Sequence, residues 1–163
     1  MKTLYLVRHA EAAEDRYPFG RDFERPLTHQ GIMKAVRVGK QLAQQGIIPQ
    51  VILASSAERT RHTAELLAEN LGLSQSDIQL NDELYNATPR VLLQVISQID
   101  DAYEKVMLVG HNPAISYMAE WLTNSHDINR MANCGMAYLQ LDLTNWAAAK
   151  QNCGKLVQYC SFD

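Results

Sequence analysis

The chain has 163 residues, of which 47% are hydrophobic and 20% charged, and its formal net charge is −3. That length fits one domain, residues 1–163, with a core that needs no disulfide or metal staples, and the mild acidity argues against a general affinity for nucleic acid, so an anion site has to be built locally. No apolar run approaches the roughly 18 residues of a membrane span, and Lys2 is not followed by the apolar stretch of a signal peptide, so the expectation is a cytoplasmic protein with no membrane partner.

Leu4-Tyr5-Leu6-Val7 is a short apolar run of the kind that forms a buried central strand. It runs straight into Arg8-His9-Ala10-Glu11. Charged groups do not belong inside such a strand, so Arg8 and His9 are placed at its carboxyl end, where open α/β sheets bind ligands. Residues 11–25, with Pro18 and Gly20, have no period and read as a loop closed by Arg25-Pro26-Leu27-Thr28. Thr28 is the predicted N-cap of a helix reaching about Gln45, with Gly46 as its stop. Ile32, Ala35, Val36, Gly39, Leu42 and Ala43 are its predicted buried face.

Val51-Ile52-Leu53-Ala54 is a second buried strand. It leads into Ser55-Ser56, predicted as caps for a helix over 57–71 that carries Ala64, Leu67 and Leu71 on its apolar stripe and Arg59 in its first turn. Gln79 and Leu80 belong to a short strand, and 81–87 to a loop. Thr88-Pro89 then starts a helix whose stripe runs through Val91, Leu92, Val95, Ile96 and Ile99. Lys105 to Val109 is a third buried strand, ending in Gly110-His111-Asn112-Pro113, where Asn112 can cap and Pro113 can take the first helical position. Ile115, Met118, Ala119 and Leu122 form the apolar face of the helix that follows. Residues 124–134 read as loop. Ala137, Leu139, Leu141 and Leu143 alternate as a half-buried strand, and Lys155 to Phe162 is a last strand reached through a turn at 152–154. Strands alternating with helices indicate a three-layer α/β/α domain with a mainly parallel sheet. The last two strands follow each other closely, so at least one pairs antiparallel and the sheet is mixed.

Three strand ends share a theme: Arg8-His9, Ser55-Ser56 with Arg59, and Gly110-His111. In a parallel sheet these ends lie on one edge, together with the helix N-termini, and Arg25 begins on the same edge. Two histidines among arginines fit a small polyanion, above all a phosphate, which guanidinium groups bind bidentately. A neutral imidazole nitrogen can attack such a phosphorus, giving a phosphohistidine intermediate. The other ring nitrogen then has to be tied to an acceptor, while a second histidine stabilises charge on the phosphoryl oxygens. The arginines do the neutralising, so no metal or other cofactor is required. His9 and His111 have no carboxylate at ligand spacing, and arginine neighbours would repel a cation. The three cysteines, Cys134, Cys153 and Cys160, form no metal pattern and read as free thiols.

Leu6-Val7-Arg8-His9-Ala10-Glu11 resembles the RHG signature of the histidine phosphatase (phosphoglycerate mutase-like) superfamily, with Ala10 in the usual glycine's place. Ser55-Ser56-Ala57-Glu58-Arg59-Thr60-Arg61-His62-Thr63-Ala64 is similar to its S-x-x-x-R-[AT]-x-x-T-A segment, and Val109-Gly110-His111-Asn112 to its GH segment. The short length and Arg25-Pro26-Leu27-Thr28-x-x-Gly31 most resemble the SixA-type phosphohistidine phosphatases. The resemblance implies a phosphoglycerate mutase-like fold with His9 as nucleophile. It also implies a phosphate pocket of Arg8, Arg25, Arg59 and His111, and a phosphohistidine-bearing phosphotransfer protein as substrate. Arg21, close to Arg25, is the alternative to it. Many superfamily members carry an acid in an L-x-E segment. Here Leu84-Tyr85-Asn86 takes that place, with Asn86 at the acid's position and Glu83 nearby as the candidate acid. An alkoxide leaving group needs a proton, whereas phosphohistidine, an activated phosphoramidate, needs much less help.

Two other readings stand beside this one. The first is a small-molecule phosphomonoesterase or mutase with Glu83 as acid. The second is a phosphate-dependent binding module, against which the intact His9 argues. Among the remaining polar residues, Glu11 is either a partner for an arginine or a solvated loop charge, and His29, His62 and His126 read as surface groups. Trp121 and Trp146 read as packing residues.

Overall fold

The computed structural model describes residues 1–14 and 21–163; Pro18 and Gly20 of the first loop lie outside them. Among the described residues six strands form one sheet: β1 (Lys2–Arg8), β2 (Val51–Ala54), β3 (Ile78–Leu80), β4 (Lys105–Gly110), β5 (Met136–Leu141) and β6 (Gly154–Cys160). Their order is β3-β2-β4-β1-β5-β6. The first four are mutually parallel, β5 pairs antiparallel with β1, and β6 pairs antiparallel with β5, so the sheet is mixed.

The α-helices among the described residues are α1 (His29–Gln44), α2 (Glu58–Asn70), α3 (Pro89–Ser97) and α4 (Ala114–Thr123). Alternation along β1 shows why they split into two layers. Leu4 and Leu6 point into the core under α3 and α4, whereas Tyr5 and Val7 point into the core under α1 and α2. Trp146 is fully buried in the first of these cores, and its Nε1–H donates to the Tyr103 carbonyl at 2.9 Å. Among the described residues no helix is long and apolar enough to cross a membrane.

Thr28 caps α1 as expected, its hydroxyl accepting from the Gly31 N–H at 3.0 Å, and Thr88 does the same for α3. Gly46 and Gly72 follow α1 and α2 with φ of +72° and +74°, the left-handed backbone that ends helices. Three expectations are corrected. The buried stripe of α1 is Gly31, Ala35, Val38, Gly39 and Leu42, so Val38 replaces Val36. The helix α3 stops at Ser97, short of Ile99.

The third correction concerns two predicted caps. The helix α2 is preceded by Ala57, with no side-chain cap, because Ser56 is bonded to the Asp82 carboxylate. Ser55 accepts from the Ala57 N–H at 3.3 Å and is bonded to the Thr60 hydroxyl. Likewise α4 starts at Ala114 after Pro113, and the Asn112 amide is spent on the Met131 carbonyl and the Ser116 hydroxyl.

Candidate active site

The sheet order puts β4 between β1 and β2, so three chain-distant strand ends become neighbours. His9 leaves β1 with its N–H donating to the Gly110 carbonyl at 3.0 Å, and His111 leaves β4 immediately beside it. Their ring centroids are 6.2 Å apart. Arg59 enters from the next strand over, in the first turn of α2, and is buried. Hydroxyls lock this turn. Thr60 Oγ1 is bonded to the Ser55 and Ala57 carbonyls at 2.9 and 3.0 Å. Thr63 Oγ1 accepts from the Ala10 N–H at 3.0 Å and donates to the Arg59 carbonyl at 2.7 Å. Thr63 thus ties the backbone after His9 directly to the backbone of Arg59.

The two histidines are held in the same tautomer, with the proton on Nδ1, but opposite ring nitrogens are left available. His9 Nδ1 lies 2.7 Å from the Ala10 carbonyl oxygen. That oxygen can only accept, so Nδ1 carries the proton and Nε2 keeps its lone pair. At His111 the backbone N–H of Asn86 donates to Nε2 at 2.9 Å, which leaves the proton on Nδ1. This Nδ1 is buried and has no partner among the described residues. A buried donor without an acceptor costs about 1–3 kcal/mol, so a ligand oxygen is its natural complement. Burial pushes the pKa of both rings down to about 4, with the Arg59 charge adding to the effect in each and the Arg8 charge in His9. Both are therefore neutral at pH 7. One offers a lone pair and the other an N–H.

Arg59 and Arg25 converge on a residue of the loop predicted over 11–25. Asp22 sits in a 3-10 turn (Asp22–Glu24). Arg59 Nη1 donates to the Asp22 carbonyl at 2.8 Å, and Nη2 pairs with its Oδ2 at 3.1 Å. Arg25 Nη1 pairs with Oδ1 at 3.0 Å, while its Nε donates to the Ala13 carbonyl at 2.7 Å. The Tyr85 hydroxyl donates to Oδ2 at 2.8 Å. Partial burial opposes ionisation of Asp22, but Tyr85, Arg25 and Arg59 outweigh it and hold the carboxyl down at about 2. The only hint in the sequence was the spacing Asp22-x-x-Arg25, a reach that one turn can close.

Arg25 therefore joins Arg59, whereas Arg21 is exposed and among the described residues its carbonyl accepts from the Glu24 N–H. Arg8 stands apart from this pair. Its Nη1 donates to the Met131 carbonyl at 3.0 Å, and its Nε is buried with no partner among the described residues. Burial and the nearby Arg130 charge lower its pKa. Glu83 is exposed and lines a groove of about 660 Å³ with Val51, Leu53 and Val95, a lining that includes neither histidine. Among the described residues Glu11 pairs with no arginine; its Oε1 accepts from the Thr28 hydroxyl at 2.8 Å. Ala10 is buried and outside the left-handed region, so its methyl is tolerated where the signature has glycine. Among the described residues no group of three or more His, Cys, Asp or Glu side chains could hold a metal ion.

Three comparisons place the chain among known proteins. The family model of the histidine phosphatase superfamily (branch 1) matches residues 4–88. A solved structure from Agrobacterium tumefaciens, described as a putative phosphohistidine phosphatase SixA, is 29% identical; the match covers 98% of this chain and 97% of that one with a TM-score of 0.81. A protein histidine phosphatase SixA complexed with tungstate shares the fold at a TM-score of 0.79 and 22% identity, covering 98% and 97% of the two chains. An uncharacterised protein of Mycobacterium tuberculosis is 27% identical over 163 residues, spanning 94% of this chain and 98% of its own.

Proposed function

The chain belongs to the histidine phosphatase superfamily, and we propose that it removes the phosphoryl group from phosphohistidine on a phosphotransfer protein. The observation that carries this reading is that the two rings, alike in tautomer, offer opposite nitrogens. His9 Nε2 has the lone pair an attack on phosphorus needs, and His111 Nδ1 has the proton a phosphoryl oxygen needs. Arg59 and Arg25, already holding one anion in the Asp22 carboxylate, supply positive charge, with Arg8 on the other side. Arginines and His111 neutralise the phosphoryl oxygens, so this mechanism calls for no metal.

In the first step His9 Nε2 forms a bond to phosphorus while the bond from phosphorus to the substrate's imidazole nitrogen breaks. That nitrogen takes the electron pair. If the substrate ring carries a proton on its other nitrogen, it leaves as neutral imidazole and asks no proton of the enzyme. In the second step water attacks the phosphorus of phospho-His9. The P–Nε2 bond breaks, the water proton passes to solvent, and inorganic phosphate is released. The side chain at the position where an acid is expected is Asn86, which cannot supply a proton. This favours a leaving group that needs none, and it disfavours sugar phosphates and phosphoglycerate.

The test is a direct comparison of turnover. A phosphohistidine-bearing phosphotransfer protein is expected to be hydrolysed with a higher kcat/KM than sugar phosphates or phosphoglycerate. Faster turnover of the sugar esters would overturn the substrate assignment in favour of a small-molecule phosphomonoesterase.

A further inference from the structure

Outward from the nucleophile the pocket wall turns aromatic. The Tyr85 ring centroid lies 6.3 Å from that of His111, and the Phe23 centroid lies 5.1 Å from Tyr85 with the two planes at 84°. Tyr85 is fixed at several points. Its N–H donates to the Asp82 carbonyl at 3.1 Å, its hydroxyl to Asp22, and the next residue's N–H to His111. The Arg59 guanidinium lies 6.0 Å from its ring centroid. Phe23, by contrast, is 37% exposed, on a three-residue turn that buries no side chain. A lone exposed phenyl would need no explanation. This one stands against the ring that adjoins both Arg59 and His111.

A phosphoryl group held between His9 Nε2 and His111 Nδ1 has strand ends and the Cys134–Gly135 backbone behind it, because the Cys134 N–H donates to the carbonyls of Arg8 and His9 at 3.0 and 3.2 Å. The side left for its leaving group is the one where Tyr85 adjoins both His111 and Arg59 and Phe23 stands against Tyr85. Two perpendicular rings form a corner in which a third planar ring can stack on one and meet the edge of the other, both favourable arrangements. We propose that Phe23 and Tyr85 form a subsite for a planar aromatic leaving group, the imidazole of phosphohistidine being the natural case. Only that natural case rests on the substrate reading above. The subsite and Asn86 point the same way, since ring leaving groups such as imidazole and phenolate depart with little or no donated proton.

Non-hydrolysable phosphonates test the subsite apart from the chemistry. As competitive inhibitors of the full chain, phenylphosphonate should bind about tenfold more tightly than methylphosphonate. Phe23→Ala should shrink that preference to within about twofold, and Phe23→Tyr should keep it. Tyr85→Leu is the second variant, with inorganic phosphate inhibition measured alongside to show that the pocket still forms. A wild-type protein with no preference, or a Phe23→Ala variant that keeps it, would overturn the subsite. If the ring preference is lost in Phe23→Ala while phosphohistidine proteins prove poor substrates, the subsite stands and the substrate assignment falls.

Discussion

His9 and His111 are the same residue type used with opposite polarity, and backbone groups set the difference. Their positions were legible in the sequence because each follows a buried apolar strand. Their tautomers were not, since the Ala10 carbonyl and the Asn86 N–H that fix them depend on the loops after β1 and before α3. Asp22 was hidden for a similar reason, because its partners Arg59 and Tyr85 lie 37 and 63 residues away. His9→Ala should lower kcat by at least about a thousandfold, as removal of a nucleophile does, with thermal unfolding showing the fold retained. With both rings at about 4, the acid limb of the free enzyme's kcat/KM profile should fall near pH 4, not pH 6.5, once the substrate's own ionisation is divided out. The same shifts bear on stability. Between pH 6.5 and about 4 the unfolded chain binds protons that the folded histidines refuse, so stability falls as the pH drops through that window. Urea unfolding at pH 7 and pH 5 should show this loss, and His9→Ala should reduce it. Asn86→Asp, isosteric and tolerant of the left-handed backbone at φ 51°, should raise turnover of alkyl phosphates relative to phosphohistidine. An unchanged ratio would show that the position does not govern leaving-group choice.

At the scale of elements, strands and helix starts followed from apolar period and from Thr28 and Thr88, whose hydroxyl oxygens accept from the Gly31 and Val91 N–H groups, Thr28 doing so while donating its own proton to Glu11. The predicted caps failed at Ser55, Ser56 and Asn112, where tertiary contacts divert the side chains to Thr60, Asp82 and Met131. The serine-to-threonine spacing in α2 gains a physical meaning here: Ser55 and Thr60 close the turn out of β2, and Thr63 fastens α2 to the loop after His9. Thr63→Val removes that acceptor and leaves the buried Ala10 N–H unpaired. It should cost about 1–3 kcal/mol by denaturant unfolding and lower kcat by displacing His9 relative to Arg59. Gly31 is a second such joint, where a Cβ would stand 2.2 Å from the Glu11 carbonyl oxygen. Gly31→Ala should therefore force α1 off the chain leaving β1 and destabilise the fold by about 1–3 kcal/mol.

Across the whole molecule the fold brings residues 9, 59 and 111 to one edge by placing β4 in the centre of the parallel strands, against β1 on one side and β2 on the other. The alternation of strands and helices predicted the parallel sheet and the shared edge. It could not supply the strand order, which depends on how the crossovers nest, nor the place of β5 and β6 beyond β1. A pocket assembled from three strand ends and the first loop should tighten the whole domain when an anion fills it. Inorganic phosphate or tungstate is expected to raise Tm with concentration, and Arg59→Ala to abolish the rise.

The central claim is that His9 carries the phosphoryl group during turnover. It is tested most directly by mixing the protein with a labelled phosphohistidine phosphotransfer protein, quenching in base, where phosphohistidine survives, and mapping the modified peptide. Label is expected on His9 within a single turnover and none in His9→Ala. Label on His111, or steady turnover by His9→Ala, would contradict the claim.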